Sequence, residues 1–381
     1  MSGPPSEEKG GFGNFTAQKT FPCEACGAQL TFAIDAQKLK CGHCGAEKDL
    51  QFQEGASVSE QDLNAALQKQ STRRRTATAA PVTHEVKCTS CGATVAFSGT
   101  LTSTECAYCG TPIQREAAHE AQDRLPVDGV CPFAVEKDTA QRRLQDWVGS
   151  RWFAPGDFKQ RGVHEHFQGV YMPYFTFDAM THSRYRGERG DAYYETEGEG
   201  QNKRQVRKVR WTPRAGALRR FFDDVCIPAL RSLPRTLLQS LEPWPLTKLI
   251  PFTDQALAGK QAHTYELELS EGFAAARERM DDEIRSDVRG DIGGDEQRIH
   301  DVTTQFSALT YKHVLLPIWI LAYRYREKTY RVVVNAMTGE VQGERPWSAV
   351  KIALAVIAGA VVAYVLFRLG GSNPHAVPAP R

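Results

Sequence analysis

The sequence predicts an α+β protein with two N-terminal zinc ribbons, a mixed antiparallel-sheet domain and one C-terminal transmembrane helix. Three observations predict it: eight cysteines in four Cys-x-x-Cys pairs, strand-like runs interrupted by amphipathic helices, and a long apolar run near the C-terminus. With 41% hydrophobic and 24% charged residues among 381, the composition excludes a wholly disordered chain, a fibre and a polytopic membrane protein. The formal net charge of +2 indicates no global attraction to nucleic acid or lipid.

The domain organisation follows shifts in composition along the chain. The first twenty residues are rich in Gly, Pro, Ser and Glu and lack the apolar region of a secretory signal peptide. We expect these segments in order: disordered 1–20, zinc ribbon 21–54, short helix and linker 55–82, zinc ribbon 83–115, linker 116–129, α+β domain 130–345, transmembrane helix 348–369 and disordered tail 370–381.

Each cysteine unit contains two Cys-x-x-Cys turns separated by fourteen residues, and the two units recur 65 residues apart. Zinc takes four soft ligands in a tetrahedron, and the gap accommodates a strand, a turn and a returning strand. A glycine after each pair permits the positive φ of a tight turn. A redox dithiol would be a single motif that opens a helix, and disulfides are rare in reducing compartments. The spacing therefore predicts two structural zinc ions, with the ligands Cys23, Cys26, Cys41, Cys44, Cys88, Cys91, Cys106 and Cys109.

The ribbons are predicted to bind protein partners. Four thiolates leave no open coordination position, so each zinc should fold its ribbon rather than catalyse. Residues 1–120 contain 11 Lys and Arg against 13 Asp and Glu, and each tetrathiolate centre adds two negative charges. Nucleic acid is therefore a less favoured partner. We find no nucleophile motif, dinucleotide fingerprint or phosphate-binding loop, and we expect no enzymatic activity.

The C-terminal apolar run predicts a single transmembrane span. Residues 352–367 carry no charge, and 348–369 would form about 33 Å of helix against a bilayer core of about 30 Å. The small residues Ala355, Gly359 and Ala363 recur at four-residue spacing and would permit self-association. With reduced thiols at the N-terminus, we expect a single-pass inner-membrane protein whose large N-terminal region lies in the cytoplasm.

Four features of the middle domain are candidate sites. The basic stretch 203–220 is either a patch for anionic headgroups or a strand that faces Glu195, Glu197 and Glu199 across a hairpin, and we favour the hairpin. The Gly turn 291–295 could hold a cation between Asp291 and Asp295, but a tight helix-to-strand connection is the favoured interpretation.

The other two features are a histidine pair and two remaining cysteines. His164 and His166 would share one strand face as a metal pair, but a third ligand is missing. Cys131 and Cys226 are interpreted as buried thiols.

Six further segments accompany the paired cysteine units: 169–179, 221–224, 241–244, 291–295, 312–325 and 334–346. With the apolar run, they resemble the bacterial TFIIB-type zinc-ribbon-containing membrane protein family, whose members are often called primosomal protein N-prime or helicase-like. The resemblance covers nearly the whole chain and implies zinc binding by the eight cysteines and a membrane anchor. Some members of the family resemble partners of phage-shock-type membrane-stress systems. The helicase name does not fit this sequence, because a phosphate-binding loop is missing.

These observations together predict a membrane-anchored zinc-ribbon scaffold or adaptor that recruits protein partners, with a role in envelope or membrane-stress maintenance. Its predicted partners are proteins and the lipid bilayer. The alternative is a zinc-ribbon nucleic-acid-binding protein of replication or transcription. A third hypothesis is an enzyme with an unrecognised site near Asp291, Asp295 or His164.

Overall fold

The computed structural model describes residues 21–52, 57–76, 83–87, 94–97, 103–105, 112–114, 119–121, 125–150, 167–198, 203–325, 328–344 and 349–370. This part of the chain is mainly β-sheet, so the predicted α+β class is wrong. The difference arises because three strands of 31, 25 and 30 residues replace the short strands that the sequence suggested. The ends predicted to be disordered are 1–20 and 370–381. Residues 1–20 and 371–381 lie outside the described residues, and Gly370 is the last residue of the C-terminal helix.

The strands of the described part form four sheets. They are β1 (Leu30–Ala33), β2 (Lys38–Cys41), β3 (Glu47–Lys48), β4 (Gln61–Asp62), β5 (Thr83–Lys87), β6 (Thr94–Phe97), β7 (Ser103–Glu105), β8 (Pro112–Gln114), β9 (His119–Ala121), β10 (Gly129–Val130), β11 (Phe167–Glu197), β12 (Arg204–Pro228), β13 (Ile250–Pro251), β14 (Gln261–Ala262), β15 (Glu296–Tyr325), β16 (Lys328–Asn335) and β17 (Val341–Gly343). The helices are α1 (Leu63–Thr76), α2 (Lys137–Gly149), α3 (Arg235–Gln239), α4 (Leu269–Ile292) and α5 (Ala349–Gly370), with 3₁₀ turns at Leu246–Lys248 and Asp254–Leu257.

The main sheet is organised around β11, which pairs antiparallel with β12 on one side and β15 on the other. Its base also includes β10, β13, β14, β16, β17 and β4, with parallel pairs at β10/β15 and β11/β14. Beyond the base, the three long strands continue as a three-stranded extension. We call this extension the arm, and define it as residues 180–190, 211–221 and 296–307.

Both faces of the sheet base are buried. On one face, Met172 and Tyr174 pack against residues from the 230–249 segment, including Leu238 and Trp244. The other face is covered by α4, α2 and the first cysteine unit. Because neither face meets water, residues 170–177 of β11 are all buried and read as one apolar run rather than an alternation.

The apolar periodicity of the sequence predicts two helices in the main domain, at 137–150 and 273–288. The first is confirmed as α2, and its apolar stripe buries Ala140, Leu144 and Val148. The second is confirmed as α4, which is longer than predicted at both ends. A capping box between Glu268 and Glu271 starts it, and it continues past Gly290 to Ile292.

The C-terminal apolar run forms a helix, α5. Within the described residues, however, no helix combines the length and the apolar character that crossing a bilayer requires. The charge-free run between Lys351 and Arg368 has sixteen residues, about 24 Å of helix, which is shorter than a bilayer core of about 30 Å. The transmembrane span predicted at 348–369 and the single-pass inner-membrane location derived from it are therefore wrong.

Candidate metal centre and buried charge cluster

The first cysteine unit brings four thiols together. The sulfur atoms of Cys23, Cys26, Cys41 and Cys44 all lie within 4.8 Å of one another. Two of the distances, Cys23–Cys44 and Cys26–Cys41, are 3.5 Å. A zinc–sulfur tetrahedron with bonds of about 2.3 Å has edges of about 3.8 Å, so the four thiols fit a metal ion of this kind. Among the described residues, no other group of three or more potential ligands meets this condition.

Two similar turns position these thiols. The N–H of Cys23 donates to Ala28 and the N–H of Gly27 donates to Cys23, at 2.7 and 2.8 Å. The second turn repeats the pattern, with Gly45 donating to Cys41 at 3.0 Å. Gly27 and Gly45 have φ of +74° and +75°, as the spacing predicted, and their surroundings leave open space. Glycine is therefore required here for its backbone conformation.

The electrostatics of the second turn favour a thiolate. The backbone N–H groups of Cys44 and His43 point at the Cys41 sulfur and lower the pKa of this thiol to about 6. Cys23 and Cys41 are buried, whereas Cys26 and Cys44 are exposed. The centre thus has an inner side built into the fold and an outer side that faces solvent.

The first cysteine unit packs directly on the main domain. Its side chains Leu30, Phe32 and Leu39 belong to the same apolar core as Phe133 and Trp319. Three contacts between polar groups reinforce this packing. They are the Phe32 N–H to the Ala258 carbonyl (3.1 Å), the Gln37 amide to the Phe133 carbonyl (2.8 Å) and the Gln51 N–H to Gln255 (2.7 Å).

The second cysteine unit can be followed only through its flanking strands. β5 pairs antiparallel with β6, and β7 with β8. The Cys88–Cys91 and Cys106–Cys109 pairs lie between these partners in sequence but outside the described residues. The described part therefore contains one candidate four-cysteine metal site, and the second predicted ion stays a prediction.

The Gly turn at 291–295 connects α4 to β15. Asp291 accepts a hydrogen bond of 2.5 Å from the Tyr185 hydroxyl, and Asp295 accepts one of 2.8 Å from the Ala192 N–H. Each carboxylate thus accepts a hydrogen bond from the protein. Helix α4 ends at Ile292 and β15 begins at Glu296, which confirms the interpretation as a tight helix-to-strand connection. His164 and His166 lie outside the described residues.

The basic stretch 203–220 forms most of β12. The Lys208 ammonium lies 2.7 Å from the Glu195 carboxylate and 2.8 Å from that of Glu197. The Arg207 guanidinium lies 2.7 Å from the Glu296 carboxylate. Acidic and basic residues therefore face each other across the strands, as the favoured interpretation required.

Cys131 and Cys226 are buried thiols, as predicted. Burial raises the pKa of Cys131 to about 12 and that of Cys226 higher still, so both stay protonated at neutral pH.

A buried charge cluster was missed at the sequence level. Lys312 on β15 is 9% exposed, and its ammonium lies 2.7 Å from Asp224, 3.4 Å from Glu60 and 3.9 Å from Asp178. Asp178 also accepts the Asp224 N–H at 2.6 Å and the Thr310 hydroxyl at 3.1 Å. The members of the cluster, Lys312 included, come from four distant segments, so local patterns could not identify them.

Burial and ion pairing act in opposite directions within this cluster. Burial lowers the pKa of Lys312, but the carboxylates of Asp224, Asp178 and Glu60 raise it by more, so the ammonium stays charged. Burial raises the pKa of Asp178 to about 6, although the Asp224 N–H and Lys312 favour its ionised form. The cluster thus ties the segment before α1, through Glu60, to the three long strands.

A further carboxylate, the half-buried Asp128, joins the same segments. It accepts the His313 N–H at 2.8 Å and the Gln61 amide at 3.2 Å. Burial raises its pKa to about 6 from an ordinary value of 3.8, and the two hydrogen bonds offset part of the shift. The folded state therefore binds more protons than the unfolded state between about pH 4 and pH 6, and stability falls as pH rises through this window.

We expect the backbone amide of His313 to titrate with a midpoint near pH 6, because it donates to Asp128. The measurement is the amide chemical shift by NMR between pH 4.5 and 7.5. The Asp128→Asn variant is the control and should abolish the transition, which separates it from titration of the His313 ring. A midpoint near pH 4, or a transition that survives in the variant, would contradict the assignment.

Comparison with known proteins finds a distant similarity. The chain is 25% identical over 232 residues to the uncharacterized protein YdjG of Bacillus subtilis (strain 168). The alignment covers 59% of this chain and 65% of that protein, so the chain spans less than two thirds of the relative's length. No family model matches the chain. No solved structure matches it either.

Proposed function

We propose that this protein is a docking adaptor for protein partners, in which the Cys23–Cys44 centre holds a structural zinc ion. The observation that supports this most directly is the convergence of four sulfur atoms within 4.8 Å, on a unit whose apolar side chains belong to the domain core. Four thiolates complete a tetrahedral shell, so the ion would stabilise the fold without offering a position to substrate.

The outer side of the centre is the proposed docking surface. Glu24, Ala25, Gly42 and His43 are all exposed and surround the exposed sulfur atoms of Cys26 and Cys44. A zinc ion would hold both turns in one fixed arrangement, which lowers the entropic cost of binding a partner. The second cysteine unit, by its identical spacing, is proposed to form another such module with a second zinc ion.

The motif resemblance supports a more specific version of this proposal. By that resemblance, the chain is a TFIIB-type zinc-ribbon protein, and its partners belong to membrane-stress systems. This part depends on the similarity of the cysteine units and the six accompanying segments. The proposal includes no membrane anchor.

The docking proposal is tested by changing the outer surface while keeping the thiols. We expect the Ala25→Arg/His43→Glu variant to keep the native zinc content, about two ions per chain by elemental analysis. Recovery of cross-linked partners from the native host should fall by about tenfold, because a charge change in the interface core opposes association. Quantitative mass spectrometry measures that recovery.

A matched variant, Thr247→Arg/Ser286→Glu, places the same charges at exposed positions away from the ribbon. It should recover partners as the native chain does. Equal recovery by all three proteins would contradict the proposed docking surface.

A further inference from the structure

The two faces of the arm differ in what covers them. On one face, α4 packs through Met280, Ile284 and Val288. Ion pairs secure this contact, with Arg220 of β12 bound to Glu283 and, at 2.8 Å, to Asp287 of α4. The opposite side, which we call the open face, is lined by side chains that alternate with these and point away from α4.

The open face has an exposed apolar end. Met180 and Phe221 lie directly opposite each other on β11 and β12. Their side chains are 40% and 54% exposed, whereas their strand neighbours Ala179 and Phe222 are buried beneath α4. Two large apolar side chains side by side on an open sheet form a natural anchor for a partner.

Beyond this anchor, the open face is cationic. Arg184, Arg186 and Arg219 are exposed, and among the described residues their side chains form no ion pair. This distinguishes them from Arg298 of the same face, which stacks on Trp211 at 3.8 Å and pairs with Glu188 at 3.7 Å. Three of the cations are thus available to a partner.

The composition favours a protein partner over a polyphosphate. The cations of the open face are arginines, and they lie beside Met180 and Phe221, residue types that are enriched in protein interfaces where lysine is depleted. Glu188 and Asp301 lie on the same face and would repel a uniformly anionic backbone. A partner that combines carboxylates with apolar side chains matches this pattern better.

We propose that the open face of the arm binds an acidic, extended protein segment. Alternate residues of a strand are about 6.6 Å apart, so Arg184 and Arg186 would meet carboxylates at alternate positions of the segment. An aromatic or large aliphatic side chain of the same segment would contact Met180 and Phe221. This inference rests on the proposed adaptor function and names the class of one partner.

The test uses a phage-displayed library of random twelve-residue peptides, selected on the full metal-loaded chain. We expect enriched peptides to have carboxylates at alternate positions and one large apolar residue. A synthetic peptide of the enriched sequence should bind at least tenfold more weakly to the Arg184→Glu/Arg186→Glu/Arg219→Glu variant, and about tenfold more weakly to Phe221→Ser. Fluorescence anisotropy measures the affinities.

The control is Arg235→Glu/Arg285→Glu/Arg289→Glu, which changes the net charge equally at exposed positions outside the arm. It should bind the peptide like the native chain. The inference is overturned if the enriched peptides are not acidic, or if both triple variants bind them equally. It is also overturned if dT20 or phosphatidylglycerol vesicles bind the native chain in a way that the arm variant abolishes. Partner recovery by the Ala25→Arg/His43→Glu variant reports on the ribbon separately, so the adaptor function can stand when the arm inference fails.

Discussion

Replacing Cys23 by serine is expected to unfold the first ribbon and to lower the melting temperature of the whole chain by roughly 10 °C. Cys23 is a buried member of the four-thiol cluster, and a serine hydroxyl is a poor ligand for a soft-site zinc ion. Structural zinc contributes about 10–16 kcal/mol of apparent binding free energy in small zinc-finger peptides, so its loss exceeds what a small ribbon can tolerate.

The effect should extend beyond the ribbon because the two cores are continuous. Phe32 and Leu39 would no longer cover Phe133 and Trp319, and the Gln37 amide would leave the Phe133 carbonyl without its donor. Hydrogen exchange should therefore increase in α2 as well as in β1 and β2. Calorimetry and elemental analysis give the melting temperature and the loss of one zinc ion per chain.

Cys131→Ala is the matched control, since Cys131 is a buried thiol in a different apolar cluster. It should keep the native zinc content and lose stability only through its small cavity. If Cys23→Ser keeps its metal, or if exchange rises in the ribbon alone, then the centre does not support the domain core.

Local signals in the sequence predicted the first cysteine unit well. Sulfur ligands at fixed spacing and a glycine at φ of +74° are determined within a few residues, so pattern and structure agree there. The same holds for α2, whose apolar stripe has the helical period. Features that are determined within such short segments do not depend on the rest of the chain.

Long-range pairing explains most of what the sequence did not reveal. The sequence pattern predicts a strand at 169–185, but β11 continues to Glu197. Burial alternates along 180–188, yet the buried side chains include Thr181, Ser183 and Tyr185, so the hydrophobic alternation is weak. The continuation of β11 depends on β12 and β15, more than 20 and 100 residues away, and no local period specifies such pairing. For the C-terminal run, the local signal was misleading. Its hydrophobic composition predicted a transmembrane helix, but the stretch without charges is too short.

The second large effect is expected at Lys312. Replacing it by methionine keeps most of the volume but leaves Asp178, whose side chain is 2% exposed, and Asp224 without their cation. Removal of one member of a buried ion pair costs about 3–5 kcal/mol, and we expect a loss of stability of this size at pH 7.5. The half-exposed Glu60 should contribute little of it. Urea denaturation monitored by tryptophan fluorescence measures the loss.

The stability loss of Lys312→Met should depend on pH. The pKa of Asp178, about 6, lies above its ordinary value of 3.8, and the loss of the Lys312 charge would raise it further. Protonation of the carboxyl removes the uncompensated charge, so the defect of Lys312→Met should shrink as pH falls from 7.5 to 5.5. A defect that is constant over this range would mean that lost packing, rather than lost charge, causes it.

Two further variants separate the buried charge from the loss of any lysine. Lys260 lies over the rings of Phe133 and Trp319 and makes no ion pair among the described residues, so Lys260→Met should cost only about 1 kcal/mol. Asp224→Asn, at a backbone φ of +52° that asparagine tolerates, should restore part of the stability of Lys312→Met. A coupling energy of at least about 1 kcal/mol between Lys312 and Asp224 in the double-mutant cycle is therefore expected. Strictly additive effects would show that the carboxylates are stabilised without the ammonium.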